Sequence, residues 1–405
     1  MNGGLWIVGG EFGAGAAPYR TGGNTHKDIL RAWLFAASLV AACGVVLFGP
    51  AALGVLVVAV LSAVVADWAV SVASRRPIIG GWSHACLTGL LLGLMLPATV
   101  AWYVPLFGAL IAIVLAKGLF GGLGHYLWQP AVVGRVVVQF IFKGQLSLGA
   151  VLAQSPVLAP GHLLVGDLDP ARAQAVNSAT YQGWLTLGPS LMAEAWRMER
   201  PAQALRRFAK GEIHPDGELV YEKPLIYEPL LRDALPPWED TLVGVVPGGI
   251  GETCTLGLVI AGLYLIYRGF LRWQLPAAIL ASAALAAAIL PVETADSLGG
   301  YRWLPILEAE RSVEESRAVG LAYVLYHLTA GQLMLGAFLL AGDTISTPMR
   351  VRGQLIFGAG VGVLTIFMRL YGHLEGECYW AILIMNWLSP IIDRRTKRPV
   401  LGAPG

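Results

Sequence analysis

The chain has 405 residues, of which 56% are hydrophobic and only 13% are charged. Soluble domains carry roughly 25% charged residues, so this composition excludes a soluble globule and indicates an integral membrane protein in contact with the lipid bilayer. A net charge of +2 argues against nucleic acid as a partner.

Ten apolar runs are candidates for membrane spans, because a span needs roughly 20 apolar residues. The third and the fifth are short or interrupted by glycine, so nine spans are the alternative. The runs cover residues 31–49, 52–70, 82–97, 102–117, 129–143, 250–267, 275–291, 318–340, 354–371 and 377–392.

Lysine and arginine in short connections predict how the spans are oriented. With the amino terminus inside, the connections near Gly49, Pro97 and Gly372 face outward and hold almost no basic residue. We therefore predict a multi-pass protein of the cytoplasmic (inner) membrane with both termini in the cytoplasm. The basic residues assigned to the cytoplasmic side are Lys27, Arg31, Arg75, Arg76, Lys117, Arg268, Arg272, Arg350, Arg352, Arg394, Arg395, Lys397 and Arg398.

This topology divides the chain into a first transmembrane half (residues 1–143), an extracytoplasmic loop (residues 144–247) and a second transmembrane half (residues 248–405). The loop contains the stretch AEAWRMERPAQALRRFAKGEI, which predicts an amphipathic helix. That helix either lies against the rest of the protein or docks another subunit. Because aromatic residues alternate with arginines over residues 190–240, as at interface centres, we predict that this segment clamps a neighbouring redox subunit.

An internal repeat is predicted by two similar segments, TGLLLGLML from Thr88 and GQLMLGAFL from Gly331. A glycine-histidine pair also precedes the last span of each half, at Gly124 and at Gly372. Five spans per half would make the repeat inverted, an arrangement that frames a site near the middle of the bilayer. The predicted fold class is an all-α polytopic membrane protein with about ten transmembrane helices in two inverted five-helix repeats and a long extracytoplasmic loop.

Four polar or glycine-rich stretches interrupt the apolar runs. KGLFGGLGHYLWQPAVVGR, with Gly124 at its centre, predicts irregular backbone with free amides. PGGIGETCTLG places Glu252 in the first turn of the sixth span, where a carboxylate favours the helix start. AGDTISTPMRVRGQLIFGAG places Asp343 at the inner surface. RLYGHLEGECYWAILIMNWLSPIIDR places Glu375 and Glu377 at the outer surface and Asn386 deep in the last span.

In their order and spacing, these stretches resemble the RnfD/NqrB family of membrane subunits, formed by the D subunit of the Rnf complex and the B subunit of the sodium-pumping NADH:quinone oxidoreductase. The likeness runs from APYRTGGNTHKDIL to MNWLSPIID and leaves out the long loop. It implies a subunit of a multisubunit ion-pumping oxidoreductase, with FMN joined covalently to an outer threonine and riboflavin as a second, non-covalent flavin.

The resemblance implies that Thr180 is the FMN attachment residue, with Ser178 and Ala179 beside it. The family's motif reads approximately D-x-x-S/T-G-A-T, and QAVNSATYQG from Gln174 retains only its Ala-Thr pair. Thr180 is thus either a flavinylated hydroxyl or an ordinary loop threonine. The family also tends to have asparagines at the positions of Tyr126 and Gln129.

The remaining candidate cofactor-binding residues are Gly124, Arg135, Glu252, Asp343 and Asn386. Arg135 lies inside a predicted span, where an unpaired charge is costly, so we expect a counter-charge or a polar ligand beside it. The alternatives are a structural ion pair and contact with flavin or with a translocated ion.

Other redox groups find less support in the pattern. The four cysteines are spread singly over both ends of the spans, so we expect small buried residues and no iron-sulfur cluster, metal site or disulfide framework. His84 and His327 are predicted at different depths, which disfavours a bis-histidine haem.

The leading functional hypothesis is an electron-transfer subunit that carries flavin and couples electron flow to the movement of Na+ or H+. No nucleotide-binding pattern is present in the sequence, so NADH or ferredoxin would be oxidised in a partner protein of the complex. The alternatives are a quinone-reducing B-type subunit, which would add quinone as a partner, and a flavin-free channel or transporter of similar fold.

Overall fold

Helices form the body of the molecule. The computed structural model describes residues 5–8, 11–14, 26–74, 82–118, 126–143, 146, 200–210, 238–244, 246, 248–294, 300–305, 319–372 and 374–396. Each of the ten predicted spans coincides with a helical segment in these ranges.

The helices are numbered in chain order. The first half contains α1 (His26–Phe48), α2 (Pro50–Ser74), α3 (Trp82–Leu94), α4 (Tyr103–Ile111) and α5 (Pro130–Ile141). The predicted outer loop contains α6 (Pro201–Ala209) and α7 (Trp238–Val243). The second half contains α8 (Thr255–Tyr267), α9 (Gln274–Ile289), α10 (Val319–Thr329), α11 (Leu333–Leu335), α12 (Val351–Tyr371) and α13 (Glu377–Thr396).

Two helices change pitch at one end. α4 continues as a π-helix over Ala112–Gly118, and α11 continues as a π-helix over Gly336–Leu340. Wider turns of this kind are rare and concentrate at functional positions.

Two short hairpins accompany the helices. β1 (Leu5–Val8) pairs antiparallel with β2 (Glu11–Ala14), and β3 (Val292–Thr294) pairs antiparallel with β4 (Gly300–Arg302). The prediction of an all-α chain therefore holds for the body and is wrong at these two hairpins.

Several helices are suited to a bilayer. In the described part of the chain, Lys27–Phe48, Pro50–Ser74 and Val351–Tyr371 are long and apolar enough to span it. The pair Gly320–Thr329 and Leu333–Leu340, bent by 61° at a short break, would make a fourth span. Five shorter apolar helices accompany these. The chain is a multi-pass membrane protein, while the count of ten crossings, the inverted repeat, the outer loop and the orientation stay predictions.

Small residues bring the helices of the first half into close contact. A Cβ atom on Gly89 of α3 would lie 2.6 Å from the carbonyl oxygen of Ala59 in α2, so only glycine allows this approach. The opposite face of α2 is apolar and exposed at every third or fourth position, as expected of a lipid-facing surface. Its residues are Leu53, Val57, Leu61, Val65 and Trp68.

Candidate functional site

The end of α3 is closed by groups from two other parts of the chain. Three consecutive carbonyls at this end each accept a hydrogen bond. The Leu94 carbonyl accepts from Gly251 N–H at 2.8 Å, and the Leu96 carbonyl accepts from Ile250 N–H at 2.9 Å. Between them, the Met95 carbonyl accepts from Arg135 Nε at 2.9 Å. Carbonyls at a helix end lack intrahelical partners, and leaving them unpaired in a membrane interior costs several kcal/mol. The PGGIGE turn and α5 therefore stabilise the break jointly.

Arg135 is almost fully buried, with 1% of its surface exposed. Besides the carbonyl of Met95, its guanidinium donates to Gln139 Oε1 at 3.0 Å and lies over the ring of Tyr379, 5.4 Å from the centroid. Among the described residues no carboxylate lies in ion-pair contact with it, so the choice between a structural ion pair and contact with flavin or a translocated ion stays a prediction. Its expected polar ligands are present.

Glu252 is the acidic group that completes this network. Its Oε1 accepts a hydrogen bond from the Tyr379 hydroxyl, and its Oε2 accepts one from Gly249 N–H at 3.1 Å. Its charge also acts favourably on Arg135. We call Arg135, Gln139, Glu252 and Tyr379 the Arg135 network; it joins α5, the turn before α8, and α13.

The predicted place of Glu252 in the first turn of a helix is wrong. α8 begins at Thr255, and the preceding Cys254 occupies the capping position, where its sulfur accepts Gly257 N–H at 3.3 Å. A thiol thus fills the role expected of the carboxylate, and Glu252 is directed to Tyr379 instead.

A second buried arginine closes the break after α10. Arg369 is fully buried and donates from Nη1 to the His327 carbonyl at 2.6 Å and from Nη2 to the Ala330 carbonyl at 3.0 Å. A cation at the carboxyl end of a helix also interacts favourably with the helix dipole. Nothing in the sequence indicates this role, because Arg369 lies two residues from the end of a predicted span, where an arginine side chain commonly reaches the membrane–water interface.

Helix α6, from the predicted outer loop, is docked on the body. Arg206 forms a buried ion pair with Glu377 at the start of α13 and donates to the Leu374 carbonyl at 2.8 Å. Gln203 donates to Glu375 Oε1 at 3.1 Å. The Glu377 side chain is 4% exposed, and its predicted place at the outer surface of the membrane stays a prediction.

The apolar face of α6 packs inward as well. Leu205 is fully buried, and the ring of Phe208 meets Tyr323 of α10 edge-on at 6.1 Å between centroids. Of the two predicted alternatives, a helix lying against the rest of the protein is confirmed. The buried face of α6 is occupied by its own chain, and the prediction that residues 190–240 clamp another subunit stays a prediction.

Asp343 joins the two halves through a second polar cluster. Its Oδ2 accepts from the Ser346 hydroxyl at 2.8 Å, and its Oδ1 accepts from the Tyr126 hydroxyl at 3.3 Å. His84 Nε2 lies 3.3 Å from the same hydroxyl. Desolvation raises the pKa of Asp343, although hydrogen bonds from Ser346 and Tyr126 act in the opposite direction. Desolvation and the nearby carboxylate raise the pKa of Tyr126 well above its ordinary value.

A half-open cavity of about 290 Å³ adjoins this cluster, between the α8–α9 connection and the segment before α12. Gln354 Oε1 is buried without a hydrogen-bond partner among the described residues. Arg272 closes one wall by donating to the Met349 carbonyl at 2.8 Å. The polar lining of the cavity is formed by Arg272, Asp343, Thr344, Thr347 and Gln354.

One further charge pair lies inside the first half. Lys117, in the π-helix after α4, contacts Asp67 of α2 at 2.7 Å, and both side chains are largely buried. Lys117 was assigned to the cytoplasmic side, which stays a prediction, and the structure adds that this lysine neutralises a buried carboxylate. The sequence pattern does not indicate this ion pair, because Lys117 and Asp67 are 50 residues apart.

The other predicted site residues separate into two groups. Asn386 is buried as predicted, and neither its amide nitrogen nor its oxygen has a hydrogen-bond partner in the described ranges. Gly124, Ser178, Ala179 and Thr180 lie outside the described residues. All four cysteines are free, and the described ranges contain no group of three metal-ligating side chains.

Comparison with known proteins gives one family. The model of the NQR2, RnfD, RnfE family matches residues 14–402. The chain is 29% identical to the D subunit of the ion-translocating oxidoreductase complex of Halorhodospira halophila, over 96% of each chain. It is also 29% identical, over 96% of each chain, to the D subunit of the proton-translocating ferredoxin:NAD+ oxidoreductase complex of Clostridium ljungdahlii. The sodium-translocating counterpart of Acetobacterium woodii is 27% identical over 88% of this chain and 84% of its own.

Proposed function

The chain belongs to the NQR2, RnfD, RnfE family, and we propose that it is the D-type membrane subunit of an ion-translocating electron-transfer complex. The match over both halves and the intervening segment, together with relatives of equal length, carries this proposal. Its partners are then the other membrane and peripheral subunits. The relatives include one named for protons and one named for sodium, so we leave the ion as H+ or Na+.

Two interrupted helices support a role in coupling. α3 and the α10–α11 pair each end inside the bundle, and in each case a buried arginine occupies the freed carbonyls. Broken helices are a recurrent means of placing polar groups at the middle of a membrane. The Arg135 network and the Asp343 cluster would then be the polar positions between which charge moves.

We assign a polar aromatic ligand such as riboflavin to the cavity beside Asp343, on the polar groups that line it. An unpaired amide oxygen on Gln354 and the carboxylate of Asp343 provide acceptors, and Arg272 and two threonines provide donors, on a lining otherwise apolar. Flavin chemistry supplies one- and two-electron transfer once the cofactor is bound. The side chains here would bind and orient its polar edge.

We expect Gln354→Leu to lower the riboflavin content of the purified protein by about tenfold, equivalent to the roughly 1.4 kcal/mol of one net hydrogen bond. Riboflavin released by acid denaturation would be quantified by chromatography with fluorescence detection. Gln203→Leu, a glutamine on α6 outside this cavity, is the matched control and should retain the content of the unmodified chain. Equal contents in both variants would refute the assignment of riboflavin to this cavity.

Thr180→Ala is expected to abolish covalent FMN while the membrane body stays folded, because one loop hydroxyl contributes little to stability. Mass spectrometry of the peptide that contains Thr180, from cells with an active flavin transferase, measures the modification directly. Thr186→Ala, which changes a threonine outside the QAVNSATYQG stretch, is the control and should keep the FMN adduct. An unmodified Thr180 in the unaltered chain would exclude covalent flavin at this residue.

A flavin-free channel or transporter is the second candidate, because only the Ala-Thr pair of the attachment motif is retained. Flavin fluorescence of the denatured chain in a gel separates the two. A fluorescent band at the mass of this chain is expected, and it would exclude the flavin-free alternative. A quinone-reducing B-type subunit would show, in addition, quinone-dependent oxidation of the complex.

A further inference from the structure

We propose that Cys43 of α1 and Cys254 at the start of α8 form a reversible dithiol site, which closes into a disulfide between the two halves of the chain. The two residues are far apart in sequence, and nothing in their spacing indicates a pair. The fold places them against each other.

The space around Gly257 shows how close the two sulfur atoms are. A Cβ atom at Gly257 would lie 3.1 Å from the sulfur of Cys43 and 3.1 Å from the sulfur of Cys254. The two sulfurs are therefore separated by at most twice that distance. Glycine at this position leaves the space between the two sulfurs free, and closure would require rotation of the side chains to the bonding distance of about 2.05 Å.

The surrounding backbone is held firmly enough to keep the pair together. A Cβ atom on Gly44 would lie 2.5 Å from the carbonyl oxygen of Ile250, so α1 packs directly on the turn before α8. Ile250 is also one of the donors that close the end of α3. A disulfide here would covalently fix α1 to the turn that stabilises this break.

The two cysteines have complementary chemical surroundings. Cys43 is half-buried and can meet a small reagent, whereas Cys254 is buried. The sulfur of Cys254 accepts Gly257 N–H at the start of α8, which holds this thiol beside Cys43. Cys43 is thus suited to react first and Cys254 to resolve the intermediate.

The reaction balances as thiol-disulfide exchange with a small-molecule disulfide. The Cys43 thiolate attacks one sulfur of the reagent, its S–S bond breaks, and one thiol leaves. The Cys254 thiolate then attacks the sulfur of Cys43 and releases the second thiol. The protein loses two electrons and two protons, and the reagent gains them as two thiols.

The test uses the purified complex, or the full chain in detergent, with dithiodipyridine as the apolar disulfide. We expect Cys43 and Cys254 to become resistant to alkylation, and mass spectrometry to detect the Cys43–Cys254 linked peptides. Dithiothreitol should restore all four thiols. Cys43→Ser and Cys254→Ser should each abolish the linked peptides, whereas Cys86→Ser, which changes a cysteine on α3, should retain them.

The unaltered chain alone decides the matter if a variant fails to fold. A stable mixed disulfide on Cys43 without the linked peptide would overturn the proposal, because the second thiol would then be out of reach. Free thiols on both Cys43 and Cys254 after prolonged exposure to dithiodipyridine, with Cys86 modified in the same sample, would overturn the proposal as well.

Discussion

Replacement of Arg135 by leucine is expected to lower the free energy of unfolding by about 3 to 5 kcal/mol, the range for removing one partner from a buried charged network. The carbonyl of Met95 and the amide of Gln139 would lose their donor, and the buried carboxylate of Glu252 would lose the positive charge that acts favourably on it. Electron transfer by the complex should fall with it, because the end of α3 would no longer be held. Unfolding in detergent and the turnover of the assembled complex measure the two effects.

Arg31→Leu is the matched control for this change. Arg31 also lies on an apolar helix, but 74% of its side chain is exposed and its contact with Asp28 is a 3.7 Å surface pair. Exposed pairs contribute about 0 to 1 kcal/mol, so stability and turnover should stay near those of the unaltered chain. Similar, small effects of the two substitutions would show that Arg135 is dispensable for both stability and function.

Arg135→Lys separates charge from geometry. Lysine keeps the positive charge but lacks the planar, forked donors that reach Met95 and Gln139 at the same time. We expect this variant to retain the fold better than Arg135→Leu while turnover remains reduced. Full turnover in Arg135→Lys would show that the charge alone is what the site requires.

The sequence predicted the positions of the helices more accurately than it predicted their ends. Each of the ten predicted apolar runs contains a helical segment, because a helix that lies in lipid or in a protein core needs a continuous stretch of apolar residues. Glu252 was misplaced because its surroundings depend on Tyr379, which is 127 residues away. A carboxylate close to a helix start has a local partner in the helix amides and a distant partner in a phenol, and only the fold decides between them.

Buried charges show the same limit. Arg135 was recognised as unusual because it lies in the middle of an apolar run, and its need for polar ligands was predicted correctly. Lys117 and Arg369 lie at the ends of such runs, where lysine and arginine ordinarily reach water. Their burial follows from Asp67 in one case and from two helix carbonyls in the other, and no local pattern contains either partner.

The amphipathic pattern of α6 predicted a helix with an apolar side, and Leu205 and Phe208 occupy that side. The pattern could not specify the surface that covers it, since an apolar face fits a neighbouring protein and the chain's own body equally well. The buried ion pair between Arg206 and Glu377 shows that α6 packs on the chain's own body. Deleting residues 190–240 is therefore expected to destabilise the membrane body, and not only to release a partner.

Arg206→Ala is expected to destabilise the protein by about 3 to 5 kcal/mol, because it leaves the carboxylate of Glu377 buried without its cation. Glu377→Gln should cost a similar amount, and the two changes together should cost clearly less than the sum of the single effects, because each removes the same contact. The control is Arg352→Ala, an exposed arginine on α12, for which little change is expected. Unfolding of the unaltered chain, the two single variants and the double variant in detergent gives the coupling energy. A coupling close to zero would mean that the ion pair with α13 does not contribute to the docking of α6, which would then rest on its apolar face and on hydrogen bonds such as that of Gln203 to Glu375.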